Sequence, residues 1–307
     1  MRTGLKREIE YILIPSAQVQ IGNKTIAVFN AKPENTDSTT VKSFGQEWEK
    51  FNAFDEAELE LIFNEYFDLC DDQVLPFAAK VLDIGCGSGR WSACLAKRVA
   101  HIDAIDPSPA IYTAARLTNK FANIRLSQCA ANNLPFADNS FDFLFSLGVL
   151  HHLPNTQQAI IDCTKKLKPG GWALFYLYYA LDNRGLCYKL IFRISTFARY
   201  IICRMPKFIK HFICDAIATV VYWPFVQIVK IFKKLNISFY AKLPLAYYAD
   251  KSFYIMRNDA LDRFGTPLEQ RFTKTQILKM LQIAGLTQIQ FSNKPPYWHC
   301  IAHKPNV

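Results

Sequence analysis

The stretch Val81-Leu82-Asp83-Ile84-Gly85-Cys86-Gly87-Ser88-Gly89-Arg90 sets three glycines at alternate positions behind a short apolar run. Glycine lacks a Cβ and tolerates positive φ, so such a turn lets backbone approach a ligand closely. A tight turn without a ligand is the plainer option. The spacing differs from the Gly-x-Gly-x-x-Gly that seats a pyrophosphate on a helix N-terminus. Asp83 repels phosphate and suits a ligand carrying ammonium and sulfonium groups. Asp106, followed by Pro107, closes the next apolar run, where a carboxylate can accept both hydroxyls of a ribose. Asp103 is the second candidate, and an Asp before Pro can also simply form a turn. Ser146, Leu147 and Gly148 end a later run, and His151 and His152 follow it. A histidine titrates near neutral pH and can take a proton from a hydroxyl, or it can cap the following helix. His151 is the preferred residue to touch a substrate.

These residues need elements to position them. Val81–Ile84, Ile102–Ile105, Ile124–Gln128, Phe141–Ser146 and Ala173–Tyr178 read as strands. Trp91–Arg98, Pro109–Asn119 and Thr156–Leu167 read as helices between them, and the turn Lys168-Pro169-Gly170-Gly171 introduces the fifth strand. Strand alternating with helix predicts a parallel sheet with right-handed crossovers, a doubly wound α/β domain. The pattern breaks near residue 180 and resumes with a helix over Thr273–Ala284 and strands over Leu286–Phe291 and Trp298–His303. Residues 44–70 carry apolar positions at helical spacing, which predicts one or two amphipathic helices ahead of the glycine turn. Tyr11–Ile14 and Thr25–Phe29 read as short strands, and Asn30–Thr40 as a linker. The expected segments are therefore an extension over 1–40, a core over 41–180, an insertion over 181–270, and a completing helix and two strands over 271–307.

The ordered set Val81–Gly89, Ile105-Asp106, Leu134-Pro135-Phe136, Ser140-Phe141-Asp142, Gly148–His152 and Leu167–Gly171 resembles the class I S-adenosylmethionine-dependent methyltransferases, of the type that includes ubiquinone- and menaquinone-biosynthesis enzymes. The resemblance covers about residues 76–178 and the C-terminal helix and strands. It implies a Rossmann-like, seven-stranded, mostly parallel sheet with its last strand antiparallel and a helical insertion after strand five. It also implies S-adenosylmethionine as cofactor and no metal. Asp83, Gly85, Cys86, Gly87 and Gly89 would lie near the methionine moiety, Asp106 on the ribose, and Ala131 and Asn132 around the adenine. Ser146 and Leu147 would end strand four beside the methyl group, with His151 and His152 beyond it as catalytic candidates. Ala130 departs from the family, which commonly has an Asp there for the adenine amino group; Asn132 could supply the missing acceptor.

Lys and Arg outnumber Asp and Glu by 36 to 26, which favours anionic partners. Ten of the cations and a single acid, Asp215, lie between Arg184 and Lys234. Cations at 189, 193, 199 and 204 among Leu186, Ile191, Phe192 and Ile194 fit a basic amphipathic helix, which can lie on an anionic membrane, embrace an amphiphilic substrate or form a lid with a wet basic side. Phe212–Val229 is nearly continuously apolar, but Asp215 and Pro224 argue against a membrane span. Nine cysteines without a Cys-x-x-Cys pair read as reduced thiols, and residues 1–15 lack the apolar stretch of a secretory signal, both pointing to the cytoplasm, with peripheral contact at the inner membrane face as an option. Lys294-Pro295-Pro296-Tyr297 only superficially resembles the Pro-Pro-aromatic tetrad of base methyltransferases, because it precedes the final strand. The expectation is O-methylation of a small, sugar-linked or lipid-linked metabolite. An RNA methyltransferase and a noncatalytic cofactor-binding subunit are the alternatives, with nucleic acid the less favoured partner.

Overall fold

The structure is a computed structural model that describes residues 8–30 and 34–306. The chain separates into one unit of Met1–Ala180 with Leu268–Val307 and a second of Leu181–Pro267.

In the first unit the apolar runs form a sheet. Its strands are β1 (Ala17–Ile21), β2 (Lys24–Val28), β3 (Lys80–Ile84), β4 (His101–Ile105), β5 (Ile124–Gln128), β6 (Phe141–Leu147), β7 (Leu167–Tyr176), β8 (Thr287–Phe291) and β9 (His299–His303). Their order is β1-β2-β5-β4-β3-β6-β7-β9-β8. The run β2-β5-β4-β3-β6-β7 is parallel, while β9 pairs antiparallel with both β7 and β8. Every residue of β4 is buried. Such unbroken burial is what strands covered on both faces require, so their sequences read as continuous apolar runs rather than alternations. Leu82, Ile84, Phe141, Leu144 and Phe175 belong to the central apolar cluster.

The sheet has nine strands rather than the expected seven. The additional pair is the hairpin β1–β2, which docks β2 parallel to β5 with Ile26 opposite Leu126. Lys24 helps to hold it, its buried ammonium donating to the Ile124 carbonyl at 2.6 Å. Tyr11–Ile14 is not a strand; Tyr11 makes a single bridge to Phe136. The stretch expected as a linker already contains the start of helix α1 (Ser38–Lys50), whose N-cap Asp37 accepts from the Thr40 amide at 2.7 Å; residues 31–33 lie outside the described residues. The remaining helices of this unit are α2 (Glu56–Tyr66), α3 (Arg90–Leu95), α4 (Ala110–Leu117), α5 (Thr156–Lys166) and α10 (Lys274–Ile283).

The second unit is helical: α6 (Leu186–Ile202), α7 (Lys207–Ile217), α8 (Trp223–Lys234) and α9 (Phe253–Gly265). A π-helical turn, Ala218–Tyr222, joins α7 to α8, so that Lys207–Lys234 runs as one helix of 28 residues. The turn sits just ahead of Pro224, where the missing amide donor interrupts the regular ladder. By length and composition this helix can cross a membrane. Within the unit, Arg263 donates to Ser195 Oγ and Thr196 Oγ1 at 3.1 and 2.8 Å, and Arg257 pairs with both carboxylate oxygens of Asp215 at 3.1 and 3.0 Å.

Candidate functional site

Strands β3, β4 and β5 succeed one another to one side and β6 and β7 to the other, so the order reverses between β3 and β6. In open α/β sheets ligands bind beyond the carboxyl ends of the strands at such a reversal. The loops after β3, β4, β5 and β6, together with α1, wall an open cleft.

The turn after β3 gives Gly85, Cys86 and Gly87 to this wall. Gly85 and Gly87 hold φ at 74° and 54°, the left-handed region in which a side chain is strained. They are also sterically required. A Cβ on Gly85 would stand 2.6 Å from Val149 Cγ2, and one on Gly87 would stand 2.8 Å from the Trp48 indole nitrogen. Gly89 caps α3 away from the wall.

Asp106 ends the strand beside this turn and is on the wall. Its Oδ2 accepts from the Gly87 amide at 2.9 Å, and its Oδ1 from the Ser108 amide and hydroxyl at 2.8 and 2.6 Å. The carboxylate thereby ties the loops after β3 and β4 together. Burial raises its pKa, and the Ser108 and Gly87 donors oppose that rise. Asp103 points elsewhere, pairing with Arg125 at 2.6 Å, so the second candidate for the ribose position is engaged in the sheet interior. Asp83 is also off the wall. It is buried, accepts from the Ser92 hydroxyl at 2.6 Å, and burial pushes its pKa up to about 7.

After β5 the chain contributes Cys129, Ala130 and Ala131 to the wall. Asn132 does not line it; its side-chain amide nitrogen donates to the Glu34 carbonyl. After β6, Leu147, Gly148 and Val149 line the cleft, whereas Ser146 is buried and donates to the Ile84 carbonyl at 3.1 Å.

The two histidines separate. His152 lines the cleft, with the Phe44 ring edge-on at 4.8 Å and its Nδ1 2.6 Å from the Leu268 carbonyl. A carbonyl only accepts, so Nδ1 carries the proton and Nε2 the lone pair. His151 is behind this wall, fully buried, with its ring 3.9 Å from those of both His152 and Tyr178. Neither of its ring nitrogens has a hydrogen-bond partner among the described residues. Burial, then the neighbouring His152 and Arg271, hold its pKa well below the usual histidine range. The preference for His151 as the substrate-facing residue is thus reversed in the geometry.

Sequence reasoning passed over several wall residues. Phe44 and Trp48 project from α1 into the cleft with Arg90, whose guanidinium stacks on Trp48 at 4.6 Å. Their signal was spacing: Phe44 and Trp48 are four apart and share a helix face. Asp37, Pro107 and Val149 gave no such signal.

Residues 82–175 match the family described as Methyltransferase domain. The chain is 32% identical over 132 residues to a ubiquinone biosynthesis O-methyltransferase of Xylella fastidiosa, covering 42% of this chain and 51% of that one. It is 30% identical over 146 residues to a demethylmenaquinone methyltransferase of Staphylococcus haemolyticus, covering 46% and 60% respectively. The matched part spans about half the length of the first of these relatives. A solved SAM-dependent methyltransferase from Aquifex aeolicus is 14% identical over 83% of this chain and all of that one, with a TM-score of 0.44. The glycine turn and Asp106 lie within a segment, residues 82–175, that matches a methyltransferase domain and is similar to ubiquinone- and menaquinone-pathway methyltransferases, and the structure places it on one α/β sheet.

Proposed function

We propose that the chain transfers the methyl group of S-adenosylmethionine to a hydroxyl oxygen of a small, sugar-linked or lipid-linked metabolite, in the cytoplasm or beside the inner face of a membrane. The observation that carries this reading is the convergence of Gly85, Gly87, Asp106, Ala131, Leu147 and His152 on one cleft at the strand-order reversal. The residues present fit the cofactor. Gly87 closes the wall where a side chain would strike Trp48, and Asp106 supplies an acceptor for ribose hydroxyls and disfavours phosphate. The cofactor, when bound, supplies an electrophilic methyl on sulfur.

The chain's own work is to hold and deprotonate. In-line attack needs the acceptor oxygen fixed close to the methyl, and positioning supplies much of the rate. Phe44 and Val149 supply apolar wall, and His152 the base: the Leu268 carbonyl fixes the ring so that Nε2 takes the hydroxyl proton as the oxygen attacks. His151, held neutral by burial, packs behind His152. A relative named as a ubiquinone biosynthesis O-methyltransferase supports an oxygen acceptor.

The test is to incubate the protein with methyl-labelled cofactor and a cell lysate separated into lipid, carbohydrate, RNA and protein fractions. Label in the lipid or carbohydrate fraction is the expected result. Label confined to RNA would overturn the acceptor class, and no label with tight cofactor binding would favour a noncatalytic subunit.

A further inference from the structure

Helices of water-soluble domains bury their apolar stripe and show water their polar one. The second unit turns apolar side chains to the outside as well. On α6 the residues facing inward include Ser195, Thr196 and Arg199; Arg263 donates to the two hydroxyls, and Arg199 donates to the Thr266 and Pro267 carbonyls at 3.0 and 2.9 Å. Leu186, Leu190, Ile194, Phe197 and Ile201 of the same helix are exposed, Leu186 to 85%. Their spacing of three and four places them along one face. Along Lys207–Lys234 the buried positions include Cys214, Ala218, Tyr222, Val226 and Val229, and the exposed positions are largely apolar too. Lys210 is buried and donates to the Gly265 carbonyl at 3.4 Å, and Asp215 turns to Arg257, while Phe208, Phe212, Val220, Trp223, Ile228 and Ile231 are exposed, Phe208 to 83%. A surface of this extent is far beyond the scattered apolar residues of ordinary exteriors.

Charge identifies what covers it. Between Arg184 and Lys234 no acid is exposed, since Asp215 is the only one and is half-buried against Arg257. Arg193, Arg204, Lys207, Lys230 and Lys234 are exposed around the apolar faces. On α6, Lys189, Arg193 and, two residues past its end, Arg204 fall along one flank of the apolar face. A second copy of this face would set cation against cation, so self-pairing is disfavoured. Apolar faces bordered by exposed cations match the acyl region and the headgroup layer of an anionic bilayer.

We propose that the second unit is a membrane-docking module, which seats the exposed faces of α6 and Lys207–Lys234 in an anionic lipid bilayer with its arginines and lysines at the headgroups. This deepens the reading of an enzyme beside a membrane, but it rests on surface geometry and is scored without turnover. The full chain is floated with phosphatidylcholine vesicles, with and without phosphatidylglycerol. Binding is expected to strengthen with phosphatidylglycerol and to weaken with salt. Arg193→Gln with Arg204→Gln weakens anionic-vesicle binding about 30-fold, at roughly fivefold per cation. Leu190→Asp with Phe197→Asp abolishes binding to both vesicle types, while circular dichroism and binding of labelled cofactor stay unchanged. Absence of vesicle binding by the folded parent chain overturns the docking proposal. So does a sedimentation result in which Leu190→Asp with Phe197→Asp splits a dimer that ignores vesicles, because the face then joins two copies. Failure of cofactor binding by the parent chain instead sinks the methyltransferase reading and leaves the docking result standing.

Discussion

The Nδ1 of His152 lies 2.6 Å from the carbonyl oxygen of Leu268, which places the proton on Nδ1 and the lone pair on Nε2. Replacing this ring removes the base without touching the glycine turn. His152→Ala is expected to lower kcat about 10²-fold or more, the usual worth of a general base, with cofactor affinity within about threefold of the parent. Single-turnover kinetics beside equilibrium dialysis separates the two; equal losses in both would assign His152 to cofactor binding.

Asp106 and Asp103 lie three residues apart with opposite duties. Asp106→Asn should weaken cofactor binding at least ~10-fold, since a hydrogen bond to a charged group contributes about 1.5–3 kcal/mol. Asp103→Asn should leave affinity intact and lower the melting temperature, because it strips Arg125 of its buried partner. Calorimetric titration and melting curves on both variants check the contrast.

Gly85→Ala should cost about 1–3 kcal/mol from a left-handed backbone and a Cβ forced against Val149. At ~2–4 °C per kcal/mol the loss is visible in thermal melts. Adding Val149→Ala removes the nearest methyl groups and recovers part of the loss, leaving the backbone share. No recovery in the double variant would show that the contact with Val149 is irrelevant.

Burial raises the folded-state pKa of Asp83 to about 7 from an ordinary 3.8. The native state therefore holds a proton that the unfolded chain has released, and stability falls as pH rises between those values. An asparagine keeps the acceptor for Ser92 and cannot ionise. Asp83→Asn should thus melt higher than the parent at pH 8, by at least ~1 kcal/mol or ~2–4 °C, and lose that advantage near pH 4. Melting curves at both pH values decide it, and a lower melting point at pH 8 would contradict the buried-charge account.

The parallel strands were legible because burial on both faces writes continuous apolar runs, and Gly85, Gly87 and Asp106 because their spacing has a geometric purpose. Less could be read where position depends on distant chain. Asp83 and Asp106 look alike as acids closing neighbouring strands, yet one points into the sheet layers and the other onto the cleft wall. His151 and His152 are adjacent, and only the return of the chain at Leu268 tells which ring meets the cleft. The strand Ala17–Ile21 was missed because its alternation of exposed polar residues marks an outer strand, which lacks a two-sided core pattern.

That outer strand has a consequence for handling the protein. Without the β1–β2 hairpin, β5 would present a bare row of amides and carbonyls, a template on which another chain can add a strand. The hairpin moves the open border to a five-residue strand with mostly exposed side chains, and Lys24 rivets it in place. Residues 17–28 thus cover that edge, and shortening the protein to its matched segment would leave it open.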